Sequence, residues 1–137
     1  MKENGFDKSQ HLCSKKRIDT LFAAKTSFVV YPIRVIYNSE PSQSDLPAVQ
    51  LLLSVSKRHF KRAVKRNRVK RQLREAYRNN SSALRRLVAE QSLHLDVAFL
   101  WLSDELSSSE MVNEKICEAI ALLADKINDI SVKAEEA

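Results

Sequence analysis

A chain of 137 residues can hold one hydrophobic core and is too short for two. Its 44% apolar content excludes wholesale disorder, and no apolar run approaches the roughly 18 residues of a membrane span. The charge is lopsided. Of 23 Lys and Arg residues, eleven fall in the 22 residues Lys57–Arg78, which contain one acid, Glu75, and sum to +10. The other 115 residues carry twelve basic and sixteen acidic side chains, a net −4. Ordinary helix faces interleave both signs, whereas a block this dense repels itself unless a polyanion neutralises it. Nucleic acid is the first such polyanion to consider.

Three further absences narrow the reading. The polar start, MKENGFDKSQHLCSKKR, lacks the apolar region of a secretory signal, so the expected compartment is the cytoplasm. Cys13 and Cys117 are too few for a zinc site and read as reduced thiols. With a single glycine, Gly5, the chain has no phosphate-binding loop, dinucleotide fingerprint, GXXG clamp or RRM consensus. Binding must come from side chains on helices and strands.

In chain order, residues 1–10 are polar and expected to be flexible. Ile18, Leu21 and Phe22 recur at helical spacing behind Lys15, Lys16 and Arg17, which predicts a short helix within Leu12–Ala24. Phe28–Tyr37 is β-branched and aromatic and reads as one strand, with Pro32 at its edge or start. Asn38–Leu46 reads as a polar turn and Ala48–Val55 as a second strand. In the basic block, Val69, Leu73, Ala76 and Tyr77 share one helical face. Asn67, Lys70, Arg71, Arg74 and Arg78 gather on the other, and the helix is expected to start near Lys65, with Ala63 and Val64 in the turn before it. After a break at Asn79–Ser82, Ala83–Glu90 adds another helical turn or two. Leu93–Leu102 reads as a buried strand. Ser107 with Glu110 is a capping-box pattern, opening a long helix with Val112, Ile116, Ile120, Leu123, Ile127 and Ile130 facing inward and a frayed tail over 131–137. The whole reads as one α+β domain, helix-strand-strand-basic helix-strand-helix, spanning 1–137.

Protein-borne catalysis has no visible basis. The three histidines (His11, His59, His94) fall in different elements, no spacing forces two carboxylates together, and nothing marks a nucleophile, so neither catalytic residues nor metal ligands are assigned. His94 reads as a packed or edge histidine, His59 as a neighbour of phosphate or bases, and Trp101 and Tyr77 as core. Phe22 fits either the core or an exposed platform on which a single-stranded base stacks. A nuclear-localisation patch would account for the charge but not for the apolar stripe, and a leucine-zipper basic region would need a following heptad.

The block Val55-Ser56-Lys57-Arg58, then Arg62-Ala63-Val64, then Arg66-Asn67-Arg68-Val69-Lys70-Arg71, Arg74-Glu75 and Arg78 closely resembles the RNR signature of the bacterial ribonuclease P protein subunit. Leu12, Lys15, Ile18, Leu21 and Phe22 are similar to that family's first-helix pattern, although Ile18 stands where the family carries an aromatic and Leu52 where it often has glycine. The resemblance implies an α/β sandwich in which the RNR helix joins two parallel strands by a left-handed crossover, against the usual right-handed rule. It implies an accessory subunit, one per RNA, of an endonuclease whose chemistry belongs to ribonuclease P RNA with bound Mg²⁺ and which removes the 5′ leader of precursor tRNA. It assigns RNA contacts to Lys57, Arg58, Arg62, Lys65, Arg66, Asn67, Arg68, Lys70, Arg71 and Arg74, with Asn67 also ordering the motif through backbone hydrogen bonds. Leader contacts fall to Ile18, Phe22, Arg34 and Tyr37. A ribosomal or RNA-chaperone module, or a DNA-binding protein, would use the same charge without activating tRNA maturation.

Overall fold

The computed structural model describes residues 10–24, 26–42 and 46–136, with side chains through residue 129. The expectations for residues 1–9 and for the inward face of Ile130 lie outside this description. The elements are α1 (Lys15–Ala23), β1 (Ser27–Val30), β2 (Ile33–Pro41), β3 (Val49–Ser54), α2 (Ala63–Asn80), α3 (Ser82–Glu90), β4 (Leu93–Trp101) and α4 (Ser109–Glu136). One mixed sheet has the order β1-β2-β4-β3, with β3 parallel to β4 and the other neighbours antiparallel. The basic helix therefore lies in the crossover between two parallel strands, as the family resemblance implies.

β4 is the spine of the fold. Six successive residues, His94–Phe99, are buried, because helices cover both faces of the sheet. On one face Leu95, Val97, Phe99 and Trp101 join Val69, Leu73, Ala76 and Tyr77 of α2, Leu84 and Val88 of α3, and Val112, Ile116, Ala119, Ile120, Leu123 and Ile127 of α4. This is the main core. The Tyr77 and Phe99 rings meet edge to face at 6.1 Å, and burial pushes the Tyr77 hydroxyl up to about 12. On the other face α1 rests on a smaller cluster of Leu12, Leu21, Ile36 and Ala98, flanked by Ile18, Leu52 and Leu100.

Several boundaries differ from the sequence reading, each for a physical reason. Leu12 is not helical. Its amide donates to the Leu51 carbonyl at 2.9 Å, so the chain runs along β3 before Ser14 caps α1. Phe28–Tyr37 is a hairpin rather than one strand, with a cis Tyr31-Pro32 bond in its turn and the Pro32 carbonyl accepting from Leu102 at 2.8 Å. Asn38–Pro41 continues β2, since the long β4 supplies ladder partners as far as Leu93. Helix α2 starts at Ala63, two residues earlier than predicted, with Arg62 in the N-cap position, and runs without a break to Asn80. At α4 the capping hydroxyl belongs to Ser108, whose Oγ accepts from the Met111 amide at 3.1 Å. The Ser107 carbonyl instead accepts from buried Gln72 of α2 at 2.9 Å, and α4 continues to Glu136.

Candidate nucleic-acid interface

The first turns of α2 reach past the core. Between Ala63 and Arg68 every residue is exposed except Arg66, which is half-buried. From Val69 onward the apolar stripe turns inward and the cations turn out. Lys57, Arg58 and Lys61 in the preceding loop, with Arg62, Lys65, Arg68, Arg71 and Arg74, are all exposed. None of these eight pairs with an acid among the described residues. Arg78 is the exception on this face, since Glu75 one turn back neutralises it. Lys70 is half-buried at the flank. A helix of 18 residues is about 27 Å long. The result is a strip of fixed cations with no compensating charge of its own.

Two members of the motif have settings that the sequence did not show. Arg66 donates from Nη1 to the carbonyls of Phe60 (2.8 Å) and Lys61 (2.9 Å), while Phe60 is anchored in the core. Arg66 thus pins the loop that carries the neighbouring cations. Asn67 makes no side-chain hydrogen bond to a described residue, so the ordering role expected of it falls to Arg66. Its side chain instead borders a surface depression of about 360 Å³ shared with Val64, Arg68 and Arg71. Val64 is 78% exposed among these cations, a feature that sequence reasoning missed by treating it as part of a turn. His59, expected beside phosphate or bases, lies 2.6 Å from Asp104 in the loop after β4. That contact ties the start of the basic block to the loop that leaves the same end of the sheet, where the parallel β3 and β4 both finish.

The second set of predicted residues divides. Ile18 is half-buried against the small cluster, Phe22 at the other end of α1 is 46% exposed, and Arg34 is exposed on β2 on the same sheet face as Ile36. Val29, the register partner of Arg34, is also exposed there. Tyr37 is a correction. Strand alternation sends it to the opposite face, where it is buried in the main core against Phe28 at 6.1 Å, and burial followed by Asp129 raises its hydroxyl. It cannot line a cleft with Arg34, because residues of opposite parity on one strand point to opposite faces.

Under the first turn of α1 is a polar recess of about 390 Å³ lined by Lys16, Arg17, Asn38, Glu40 and Asp96. Beside it Glu40, His94 and Asp96 have ligand atoms within 4.8 Å of one another, the spacing of a cation site. The donor set does not fit a metal ion. Arg17 already bonds both carboxylates, and each ring nitrogen of His94 faces an oxygen acceptor.

The comparisons with known proteins agree with one another. A family model described as Ribonuclease P matches residues 6–123. The ribonuclease P protein component of Porphyromonas gingivalis (strain W83) is 37% identical over 131 residues, covering 96% of this chain and 95% of the relative. That of Chlorobium phaeobacteroides is 34% identical over 122 residues, covering 82% and 84%. Among solved structures, a Staphylococcus aureus RNase P protein mutant with defective mRNA degradation activity superposes with a TM-score of 0.61 at 16% identity, covering 86% of this chain and 90% of that one. A second structure of the S. aureus protein gives 0.58 over 84% and 94%. At that identity the superpositions speak for the fold.

Proposed function

Since the chain belongs to the ribonuclease P protein family, as a protein subunit of the ribonuclease P holoenzyme that associates with ribonuclease P RNA, we propose that the outer face of α2 and its preceding loop grip that RNA while the α1 side of the sheet holds the 5′ leader of precursor tRNA. The observation that carries the reading is the strip of eight exposed cations without acidic partners. Structured RNA is recognised largely through phosphates and shape, which a rigid row of Lys and Arg suits. The second face has a different chemistry. Phe22 offers a ring for stacking and Arg34 a cation on the sheet face that α1 covers, the combination that holds a flexible single strand without reading its sequence.

Hydrolysis of the phosphodiester is then the work of Mg²⁺ held by the RNA, with the protein binding and orienting both RNAs. Filling of the Glu40, Asp96 and His94 group by Arg17 supports this division, because those side chains are engaged in holding the fold. No helix among the described residues is long and apolar enough to cross a membrane, and we place the subunit in the cytoplasm, one per RNA. Tethered hydroxyl-radical cleavage tests the arrangement in the reconstituted complex, in a chain whose Cys13 and Cys117 are replaced by serine. A probe at Arg71→Cys should cut ribonuclease P RNA, and one at Phe22→Cys should cut the precursor leader. Leader cleavage from position 71 and none from position 22 would overturn it.

A further inference from the structure

Four charges beneath α1 have no part in either RNA surface. Nη1 of Arg17 lies 2.6 Å from Oε1 of Glu40 on β2 and 3.0 Å from Oδ2 of Asp96 on β4. The other Asp96 oxygen is 2.7 Å from Nε2 of His94, whose Nδ1 is 2.7 Å from the carbonyl oxygen of Pro47. His94 and Asp96 are only 1% and 2% exposed. The Pro47 carbonyl only accepts, so Nδ1 donates to it, and one proton lies between Nε2 and the Asp96 oxygen. Arg17, Glu40, Asp96 and His94 thus form a network that joins α1, β2, β4 and the segment entering β3.

Helix α1 has little else to fix its place. At nine residues it is too short to be stable alone, and its apolar footing is the small cluster around Leu21. Apolar contacts of that kind tolerate sliding, whereas a shift of α1 would take Arg17 away from Glu40 and from the buried Asp96. We infer that Arg17, Glu40, Asp96 and His94 form a latch that sets the height of α1 over the sheet, and with it the place of Phe22 on the leader-binding face. Arg17 is on this account a positioning residue. The inference rests on the leader-binding reading of that face.

The charged groups around His94 are Lys16 and Arg17 from α1, Glu40 from β2 and Asp96 on its own strand. From β3 the register partner of Asp96 is the neutral Gln50. Burial pushes the imidazole down and Arg17 does so slightly, but the bonds to Asp96 and Pro47 outweigh both and leave it raised. Because Arg17 lowers the imidazole, loss of the His94 proton strengthens the hold of Arg17 on Asp96, and the latch should not loosen as pH rises.

The test compares dissociation constants of precursor and mature tRNA for the reconstituted holoenzyme between pH 6 and 9. Arg17→Met should weaken precursor at least fivefold, with mature tRNA and ribonuclease P RNA within twofold. Arg17→Lys, which keeps the charge but not the fork, should lose at least twofold. In the wild type the preference for precursor should hold or grow as pH rises, and Asp96→Asn should lower it. Unfolding transitions close to wild type in all variants keep the comparison on positioning. Phe22→Ala run alongside separates the failures: if it lowers precursor binding selectively while both Arg17 variants do not, the latch is wrong. If Phe22→Ala affects both tRNAs equally, the leader reading beneath it is wrong. A wild-type preference that fell as pH rose would also overturn the latch.

Discussion

Removing two cations from the outer face of α2 should change how affinity for ribonuclease P RNA depends on salt, by an amount set by the geometry. Arg68 and Arg71 are both exposed, lie one turn apart beside Asn67, and pair with no described acid, so each is free to displace counterions from a phosphate. Each contact contributes about 0.7–0.9 to the slope of log affinity against log salt. The double variant Arg68→Gln/Arg71→Gln should therefore be flatter by about 1.4–1.8. With the 1 M intercept unchanged, that corresponds to about sixfold per contact at 0.1 M salt, or about 40-fold for the pair. Filter binding or fluorescence titration from 0.1 to 0.5 M monovalent salt measures both quantities. Lys126→Gln, on the exposed side of α4, serves as control and should leave the slope alone. An unchanged slope in the double variant would move the RNA contact off this face, whatever happened to affinity at one salt concentration.

Phe22→Ala should weaken precursor tRNA by about 1–3 kcal/mol in the holoenzyme while leaving mature tRNA within error, measured by competition binding. Equal weakening of both would mean that the ring serves only packing. Leu73→Ala should destabilise the free protein by about 2–5 kcal/mol in urea, because Leu73 is fully buried between α2 and the sheet, whereas Arg74→Ala should change stability by less than about 0.5 kcal/mol. His94→Gln should show the pH sign of a raised imidazole: the stability gap to wild type is full below the ordinary value of 6.5 and closes as pH rises through the higher folded value. A gap that widened toward alkaline pH would mean that His94 is neutral in the fold.

The parts that sequence made legible were those governed by local periodicity. The stripe Val69, Leu73, Ala76 and Tyr77 announced a helix docked on one side and cationic on the other, and the inward stripe of α4 from Val112 to Ile127 is buried as read. The parts it hid depend on partners distant in the chain. The hairpin within Phe28–Tyr37 has no glycine or asparagine in its turn, so β propensity ran unbroken across it. Tyr37 was grouped with Arg34 through the family resemblance, although a spacing of three along one strand puts their side chains on opposite faces. Asn38–Pro41 looked like a turn because its polar residues become strand only beside β4. The bond between Arg17 and Asp96 spans 79 positions, and neither residue carries a local signal of it. Arg66 looked like any other cation of its block until the carbonyls of Phe60 and Lys61 were seen to occupy it.

The central claim is that this chain lends binding and orientation to a reaction carried by RNA, and cleavage of precursor tRNA across a Mg²⁺ titration tests it most directly. The account predicts no cleavage by protein alone, and site-specific removal of the 5′ leader by ribonuclease P RNA plus protein at lower Mg²⁺ than the RNA alone requires. Single replacement of Asp96 or Asp104 should leave the cleavage step itself, measured in single turnover at saturating holoenzyme, close to wild type in variants that fold. Site-specific cleavage by RNA-free protein, abolished by one of those replacements, would contradict the account and place the active site in the protein.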